Sequence, residues 1–274
     1  METAQPPRRL SAQLTFDRVA AVYDDFMGRW TRLYLPALRR AAALVPGQRI
    51  LDLATGTGEA ALMAAEAAAP ASVILGADIS LAMLRGAKAK LGARPIRLAA
   101  MDAQALACRD AVFDAVISQL GLMFVPDPLA GLRECRRVLR PGGRLAALVW
   151  STADRVAWFG ALAEELTRHL PARRTEILQG VSLGAPGRLA RLLGDADFAE
   201  VSVTTETQSF VFESFDAYWG HIESGAIRAG LLLRELPEDA RRAVKDGVRA
   251  RLAPFASRGR LVMPTEALVA SARR

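Results

Sequence analysis

The sequence predicts an α/β protein: a doubly wound, mostly parallel seven-stranded sheet with helical cap elements. Three observations predict it. Five short apolar runs, at 49–53, 72–77, 96–100, 113–118 and 144–150, alternate with helical stretches. Each of the first four runs leads into a small, acidic or amide residue, namely Gly56, Asp78, Asp102 and Gln119, which right-handed crossovers gather at one end of the sheet. Two later strand-like stretches, 200–212 and 260–272, bring the count to seven.

The elements follow from local signals. The first ten residues, with Pro6-Pro7-Arg8-Arg9, read as a loose arm. Helical periodicity runs over 15–44, with Phe16, Val19, Ala20, Tyr23, Leu33, Leu38 and Ala42 as inward candidates, and Pro36 breaks the stretch or starts a new helix. Alanine-rich 59–69 is helical. Ser80 is a fitting N-cap for a helix over 81–91 that Gly92 closes. Asp127-Pro128 starts the next helix, and Pro141-Gly142-Gly143 ends it. Beyond Trp150, helices are expected at 153–170, 188–193, 215–233 and 238–252, the last two split by Pro237. Within 200–212 the apolar set changes phase between Val201/Val203 and Phe210/Phe212, which predicts an edge strand with a bulge or bend. The expected organisation is an N-terminal arm and cap helices (1–45), a core (46–213 and 260–274), and a helical insertion (214–259) that covers the acceptor site.

Composition narrows the function classes. The 274 residues are 51% hydrophobic and 24% charged, the balance of a folded globular chain. Cys108 and Cys135 stand far apart, which argues against a disulfide scaffold or a Cys-rich zinc site, and no metal site is expected. The polar N-terminus is followed by no apolar run, and the apolar stretch 60–79 contains Glu66 and Pro70. Neither a secretory signal nor a transmembrane segment is expected, and the protein reads as cytoplasmic. The net charge of +7 raises the question of nucleic acid, but the basic residues are spread from Arg8 to Arg274 without a dense tract.

The segment Leu51-Asp52-Leu53-Ala54-Thr55-Gly56-Thr57-Gly58 carries the most information. Glycines between a strand and a helix let backbone approach a ligand, and Gly56-Thr57-Gly58-Glu59-Ala60-Ala61 satisfies the G-x-G-x-x-A dinucleotide pattern. Asp78 lies 20 residues past Gly58, where an acid can accept hydrogen bonds from ribose hydroxyls. Asp52 decides the rest. A carboxylate there suits a ligand's cationic amine and is an odd neighbour for a pyrophosphate, and Glu59 is equally poor company for one. An adenosine ligand bearing an amine therefore fits better than NAD.

Three blocks together resemble the class I S-adenosylmethionine-dependent methyltransferases over residues 50–149. These are Ile50 to Gly58, Gly76 to Leu84, and Phe113-Asp114-Ala115-Val116 through Leu139 to Leu145. Ala54, where glycine is commoner, is similar to the small-molecule branch that includes ubiquinone/menaquinone methyltransferases. The resemblance implies a Rossmann-like methyltransferase fold with S-adenosylmethionine as methyl donor and S-adenosylhomocysteine as product. It implies that Ala54, Gly56 and Gly58 form the floor of the cofactor site, with Asp52 near the methionine amine and Asp78 on the ribose. Ile79 and Met83 would flank the adenine, with Asp102 and Ala103 at its amino group. Gln119 would lie under the methyl donor or the acceptor, and Tyr23 would close over the cofactor.

The expected reaction is in-line methyl transfer to a small, partly apolar acceptor on oxygen, nitrogen or carbon, with no metal required. The catalytic residues are left open, with His221, His169 and Tyr23 as candidates for a base or donor. Trp30, Trp150, Trp158, Phe124, Tyr218 and Trp219 are candidates for the pocket wall. Ser118-Gln119-Leu120-Gly121 replaces the Asn/Asp-Pro-Pro-aromatic motif of base-methylating enzymes, so no nucleic-acid partner is expected. The alternatives are an NAD-dependent oxidoreductase, a non-catalytic S-adenosylmethionine-binding protein and an RNA methyltransferase. The chain could be a monomer or a homodimer.

Overall fold

The computed structural model describes residues 8–224 and 228–274, the side chains of 8–15 and 228 excepted. Its sheet runs β3-β2-β1-β4-β5-β8-β6, with a two-residue β7 beside β8. Strands β1 (Arg49–Leu53), β2 (Val73–Asp78), β3 (Ile96–Ala100), β4 (Phe113–Gln119) and β5 (Leu139–Trp150) are parallel. Strand β8 (Arg260–Arg273) lies between β5 and β6 (Ala199–Phe212) and runs antiparallel to both, and β7 (Ala256–Ser257) pairs antiparallel with β8. The order reverses between β1 and β4, which opens a crevice at the carboxyl ends of these strands. β1, β4 and the second half of β5 are buried on both faces, which is why they read as unbroken apolar runs.

Capping fixes the helices nearest the crevice. Ser80 Oγ accepts from the Met83 N–H at 3.1 Å at the start of helix Leu81–Leu91, and Asp127 accepts from Ala130 N–H at 3.1 Å before Pro128–Val138. The latter helix stops at Val138, earlier than the Pro-Gly-Gly signal placed it. Leu139 already pairs with Phe113, because Pro141 disfavours helical backbone at the residue before it. The register then slips to Ala115 opposite Arg144, and the Pro-Gly-Gly segment forms the irregularity inside the strand.

The N-terminal segment departs most from expectation. The loose arm falls largely outside the described residues, and where description begins the chain is already helical, over Arg8–Tyr23. A π-type turn at Asp24–Gly28 follows, then a short helical piece, a 3-10 turn at Arg32–Tyr34 and the helix Leu35–Ala42 with Pro36 in its first turn. The wider turn shifts the inward face, so Phe26, Trp30, Tyr34 and Leu38 are buried at a spacing of four while Leu33 is exposed. Trp30 stacks on Phe210 with centroids 4.6 Å apart, and the Tyr34 ring meets Trp150 edge-on at 5.3 Å.

β6 is the edge strand that the phase change predicts, but the phase change needs no bulge there. Pairing with β8 is continuous from Ser202 to Phe212, and the one irregularity lies between Ala199 and Ser202. The apolar set changes side because the two ends of the strand serve different faces. Phe210 and Phe212 meet the N-terminal aromatics, while the beginning of the strand packs on helix Arg188–Asp195. In the C-terminal region the helix expected over 215–233 is two helices, Phe215–Glu223 and Arg228–Leu233. Helix Glu238–Leu252 buries Val244, Val248 and Leu252 and packs on Ala157–His169, while Lys245 and Arg249 pair with Asp216. Among the described residues, no helix is long and apolar enough to cross a membrane.

Tyr34 pins the N-terminal segment to the sheet: its buried hydroxyl donates to the Thr265 carbonyl at 2.6 Å. Tyr34→Phe is expected to cost about 1 kcal/mol, the usual net worth of a buried hydrogen bond, in urea unfolding.

Candidate functional site

Three clefts meet at the carboxyl ends of the strands. The first, of about 750 Å³, is lined by Tyr23, Ala54, Gly56, Asp78, Ile79, Met83, Asp102, Ala103 and Gln119 among others. A smaller one of about 350 Å³ adjoins it through Tyr23, Ala54, Gly56 and Gln119, and Asp52 lies in its wall. The structure thus brings together ten of the eleven cofactor residues named from sequence. Gly58 stands apart. It is the left-handed N-cap of helix Glu59–Ala67 (φ 92°), and a Cβ there would press on Leu91 at 3.2 Å, so its smallness serves helix packing.

The loop geometry follows from its residues. Ala54, Gly56 and Gly58 all have positive φ. For Ala54 (φ 56°) that conformation costs about 1 kcal/mol, which glycine would not pay. Its methyl group lies against Gly121, where a Cβ would overlap it. Gly121 is therefore required by Ala54, a dependence between residues 67 positions apart that local sequence cannot show.

Two buried carboxyl groups dominate the electrostatics. Asp52 is fully buried. Its Oδ2 accepts from the Thr55 hydroxyl at 2.6 Å, and its Oδ1 has no hydrogen-bond partner. Burial pushes its carboxyl up to about 7, against the Thr55 hydrogen bond, and the nearby Asp78 charge adds to the rise. Asp78 accepts from Gly56 N–H at 2.8 Å and Ser80 N–H at 2.9 Å, bonds that oppose the upward push of its burial. Asp102 accepts from the Gln104 N–H at 2.9 Å, which folds the turn after β3. Gln119 donates to the Thr31 carbonyl at 2.7 Å, tying the end of β4 to the N-terminal segment. An orphaned carboxylate oxygen beside the glycine loop, with a second acid on the next strand, fits a nucleoside carrying a cationic amine. Glu59 does not stand as a free acid at the loop, because Lys90 (2.7 Å) and Arg32 (3.0 Å) neutralise it.

The third cleft, of about 720 Å³, shares Phe16, Tyr23, Leu120 and Phe124 with the first. Trp150, Trp158, Phe159, Met27 and Met123 make it apolar. Of the aromatic candidates, Phe124, Trp150 and Trp158 line it, whereas Trp30, Tyr218 and Trp219 pack elsewhere. Tyr218 steadies Trp158 by donating to its carbonyl at 2.7 Å. Neither histidine lines a cleft described here. His169 is exposed at a helix end, and the His221 ring lies 5.0 Å from Phe26. Burial, and then the charge of Arg29, pushes the His221 pKa down. Phe16 and Leu120 were missing from the sequence-derived site. Phe16 shows only as an inward helix position, and Leu120 only as an ordinary apolar residue with, in the structure, positive φ.

Residues 51–147 match the methyltransferase-domain family. The demethylmenaquinone methyltransferase of Mycolicibacterium vanbaalenii is 38% identical over 167 residues, covering 59% of this chain and 70% of that protein. The chain belongs to the class I S-adenosylmethionine-dependent methyltransferases. An uncharacterized protein of Mycobacterium tuberculosis is 30% identical to this methyltransferase over 230 residues, covering 78% of this chain and 81% of that one. Among solved structures, the phosphoethanolamine N-methyltransferase 2 of Haemonchus contortus shares the fold (TM-score 0.62, 16% identity, 99% of this chain and 60% of that one). So does the [4+2]-cyclase SpnF (TM-score 0.58, 19% identity, 99% and 97%). The methyltransferase uses S-adenosylmethionine as its cofactor.

The contact between Ala54 and Gly121 makes a direct prediction. Gly121→Ala is expected to cost about 2 kcal/mol through overpacking. Ala54→Gly in the same chain should recover most of that, by removing the overlapping methyl and the positive-φ strain. Urea unfolding of the two single variants and the double variant measures it, and strictly additive effects would contradict the contact.

Proposed function

We propose that the enzyme methylates a small, largely apolar molecule held in the third cleft. The observation that carries this reading is the shared wall. Phe16, Tyr23, Leu120 and Phe124 border both the cleft with the nucleoside-fitting acids and the aromatic cleft, so a donor in one and an acceptor in the other meet across one apolar boundary. We also infer that residues 1–45 and 214–259 serve as covers. Val19 and Met27 from the first, and Ala229 and Leu232 from the second, line the acceptor cleft.

In this reading Asp78 takes the ribose hydroxyls, Asp52 faces the methionine amine, and Ala54 and Gly56 form the floor. Gly58 sets the helix behind the loop. Ile79, Met83, Asp102 and Ala103 hold the adenine end. When bound, S-adenosylmethionine supplies a methyl group already activated by a cationic sulfur. The chain's own contribution is alignment and the exclusion of water by the apolar wall. The Tyr23 phenol borders all three clefts. Burial, and then the charges of Asp24 and Asp78, push its pKa up, so at neutral pH it stays protonated and donates a hydrogen bond instead of accepting a proton. Asp52 disfavours a pyrophosphate in the same place, which weighs against a dinucleotide.

Incubating the protein with methyl-labelled S-adenosylmethionine and an organic-solvent extract of cells tests the reading. Label is expected in an apolar small-molecule fraction. Label found only in nucleic acid or protein would refute it.

Asp52 gives a pH test. Its ordinary pKa near 3.8 is raised to about 7 in the folded chain, so below 7 the free protein holds a neutral acid there. A ligand ammonium favours the carboxylate and draws off that proton. S-adenosylhomocysteine affinity is therefore expected to rise with pH and level off above 7, with proton release at pH 6.5 by calorimetry in two buffers. Asp52→Asn should abolish both effects. The sign for stability is opposite: the neutral form favours folding, and that contribution is lost between the ordinary value near 3.8 and about 7, so Asp52→Asn should flatten the decline in Tm between pH 4 and 7 and leave the range above it unchanged.

A further inference from the structure

Thr57 stands in the glycine loop between two left-handed glycines, Gly56 (φ 54°) and Gly58 (φ 92°). Glycine backbone is pliable, so the place of this side chain is set by what it bonds. Its hydroxyl donates to Asp24 Oδ1 at 2.6 Å and accepts from Lys90 Nζ at 3.1 Å. Lys90 closes the triangle on Asp24 Oδ2 at 2.7 Å and gives its third proton to Glu59 at 2.7 Å. All three donors of the ammonium are then engaged.

Asp24 joins this triangle to the N-terminal segment. It opens the π-type turn Asp24–Gly28 and directly follows Tyr23, which borders all three clefts. Turns of this kind are rare and collect at functional places. Gly28 ends the turn, and a Cβ there would lie 2.8 Å from Asp24 Oδ1, the very atom that Thr57 bonds. The turn therefore needs a residue without a side chain at its end if Asp24 is to reach the loop.

We propose that Asp24 is a positioning residue that couples the cofactor cleft to the aromatic cleft. Cofactor on the glycine loop fixes Thr57, Thr57 fixes Asp24, and Asp24 sets Tyr23 and the wall that Tyr23 shares with Phe16, Val19 and Met27. The coupling is one of order. An empty loop between two glycines has freedom to lose; a bound nucleoside removes it, so the contact of Thr57 with Asp24 then forms at less entropic cost. The aromatic cleft is accordingly best formed once the cofactor is in place. Coupling is reciprocal, so a ligand of the aromatic cleft strengthens cofactor binding by the same factor. The link from loop to N-terminal segment rests on the glycine loop as the cofactor floor. Its consequence for the acceptor rests also on the third cleft as the acceptor site.

Hydrogen exchange of the whole chain, read by peptide mass with and without S-adenosylhomocysteine, tests the link. S-adenosylhomocysteine is expected to slow exchange at the loop, 54–60, and also at 24–30. Gly28→Ala, at a residue that lines none of the three clefts, displaces Asp24 Oδ1 from Thr57, and Thr57→Val removes the hydroxyl. In both variants the slowing at 54–60 should remain and the slowing at 24–30 should be lost. Thr57→Ser keeps the hydroxyl and should keep both, so the two Thr57 variants decide the matter should Gly28→Ala fail to fold. Slowing at 24–30 that survives the loss of the hydroxyl, or is absent from the wild type, would overturn the role of Asp24. Calorimetry with 1-naphthol, an apolar ring probe, reads the far end. The wild type should bind it at least about fivefold more tightly when saturated with S-adenosylhomocysteine, the lower end of couplings between sites, and Gly28→Ala and Thr57→Val should abolish the difference. A difference that persists in both variants would overturn the proposal. No difference in the wild type, beside the expected exchange pattern, would leave the link from loop to segment standing and overturn the third cleft as the acceptor site.

Discussion

Burying a carboxyl group without a full set of partners is costly, and this fold does so at the one place where its strand order reverses. Asp52 ends up there because β1 is the central parallel strand and its carboxyl end points into the crevice. The cost is visible in its raised pKa and in its orphaned Oδ1. A ligand that brings a positive charge relieves that cost, whereas a pyrophosphate adds to it. The choice of cofactor is in this sense built into the sheet before any loop is considered. Lys90 and Arg32, the nearby cations, are occupied by Glu59 and Asp24.

The same cations organise the cover. Lys90 bonds Asp24 at 2.7 Å and the Thr57 hydroxyl at 3.1 Å, and Thr57 donates to Asp24 at 2.6 Å. Further along, Asp17 accepts from Ser80 Oγ at 2.6 Å, so the first helix is tied to the cap of the helix that follows Asp78. The N-terminal segment is therefore fastened to the glycine loop and to the Asp78 turn. Its apolar side, through Phe16, Val19, Tyr23 and Met27, completes the aromatic cleft. One element thus borders both the cleft with the two acids and the aromatic cleft.

The sheet and the residues that gather around the first cleft were readable in the sequence because both depend on local rules. Alternating apolar runs, helix caps at Ser80 and Asp127, and glycines between strand and helix each act within a few residues. The charge surplus of +7 proved less informative, since many arginines are spent on ion pairs such as Arg137 with Glu134 and Arg251 with Glu165. What was not legible is long-range. Gly121 matters because of Ala54, and Leu33 turns outward because of a π-type turn upstream. The histidines illustrate the converse: their chemistry drew notice in sequence, but they lie outside the clefts.

A crystal structure with S-adenosylhomocysteine bound tests the central claim most directly. The account predicts the ligand's ammonium within hydrogen-bonding distance of Asp52 and its ribose on Asp78. It also predicts the sulfur directed at the boundary formed by Tyr23, Leu120 and Phe124, with the aromatic cleft open beyond. A sulfur directed away from that boundary, or an ammonium remote from Asp52, would contradict it.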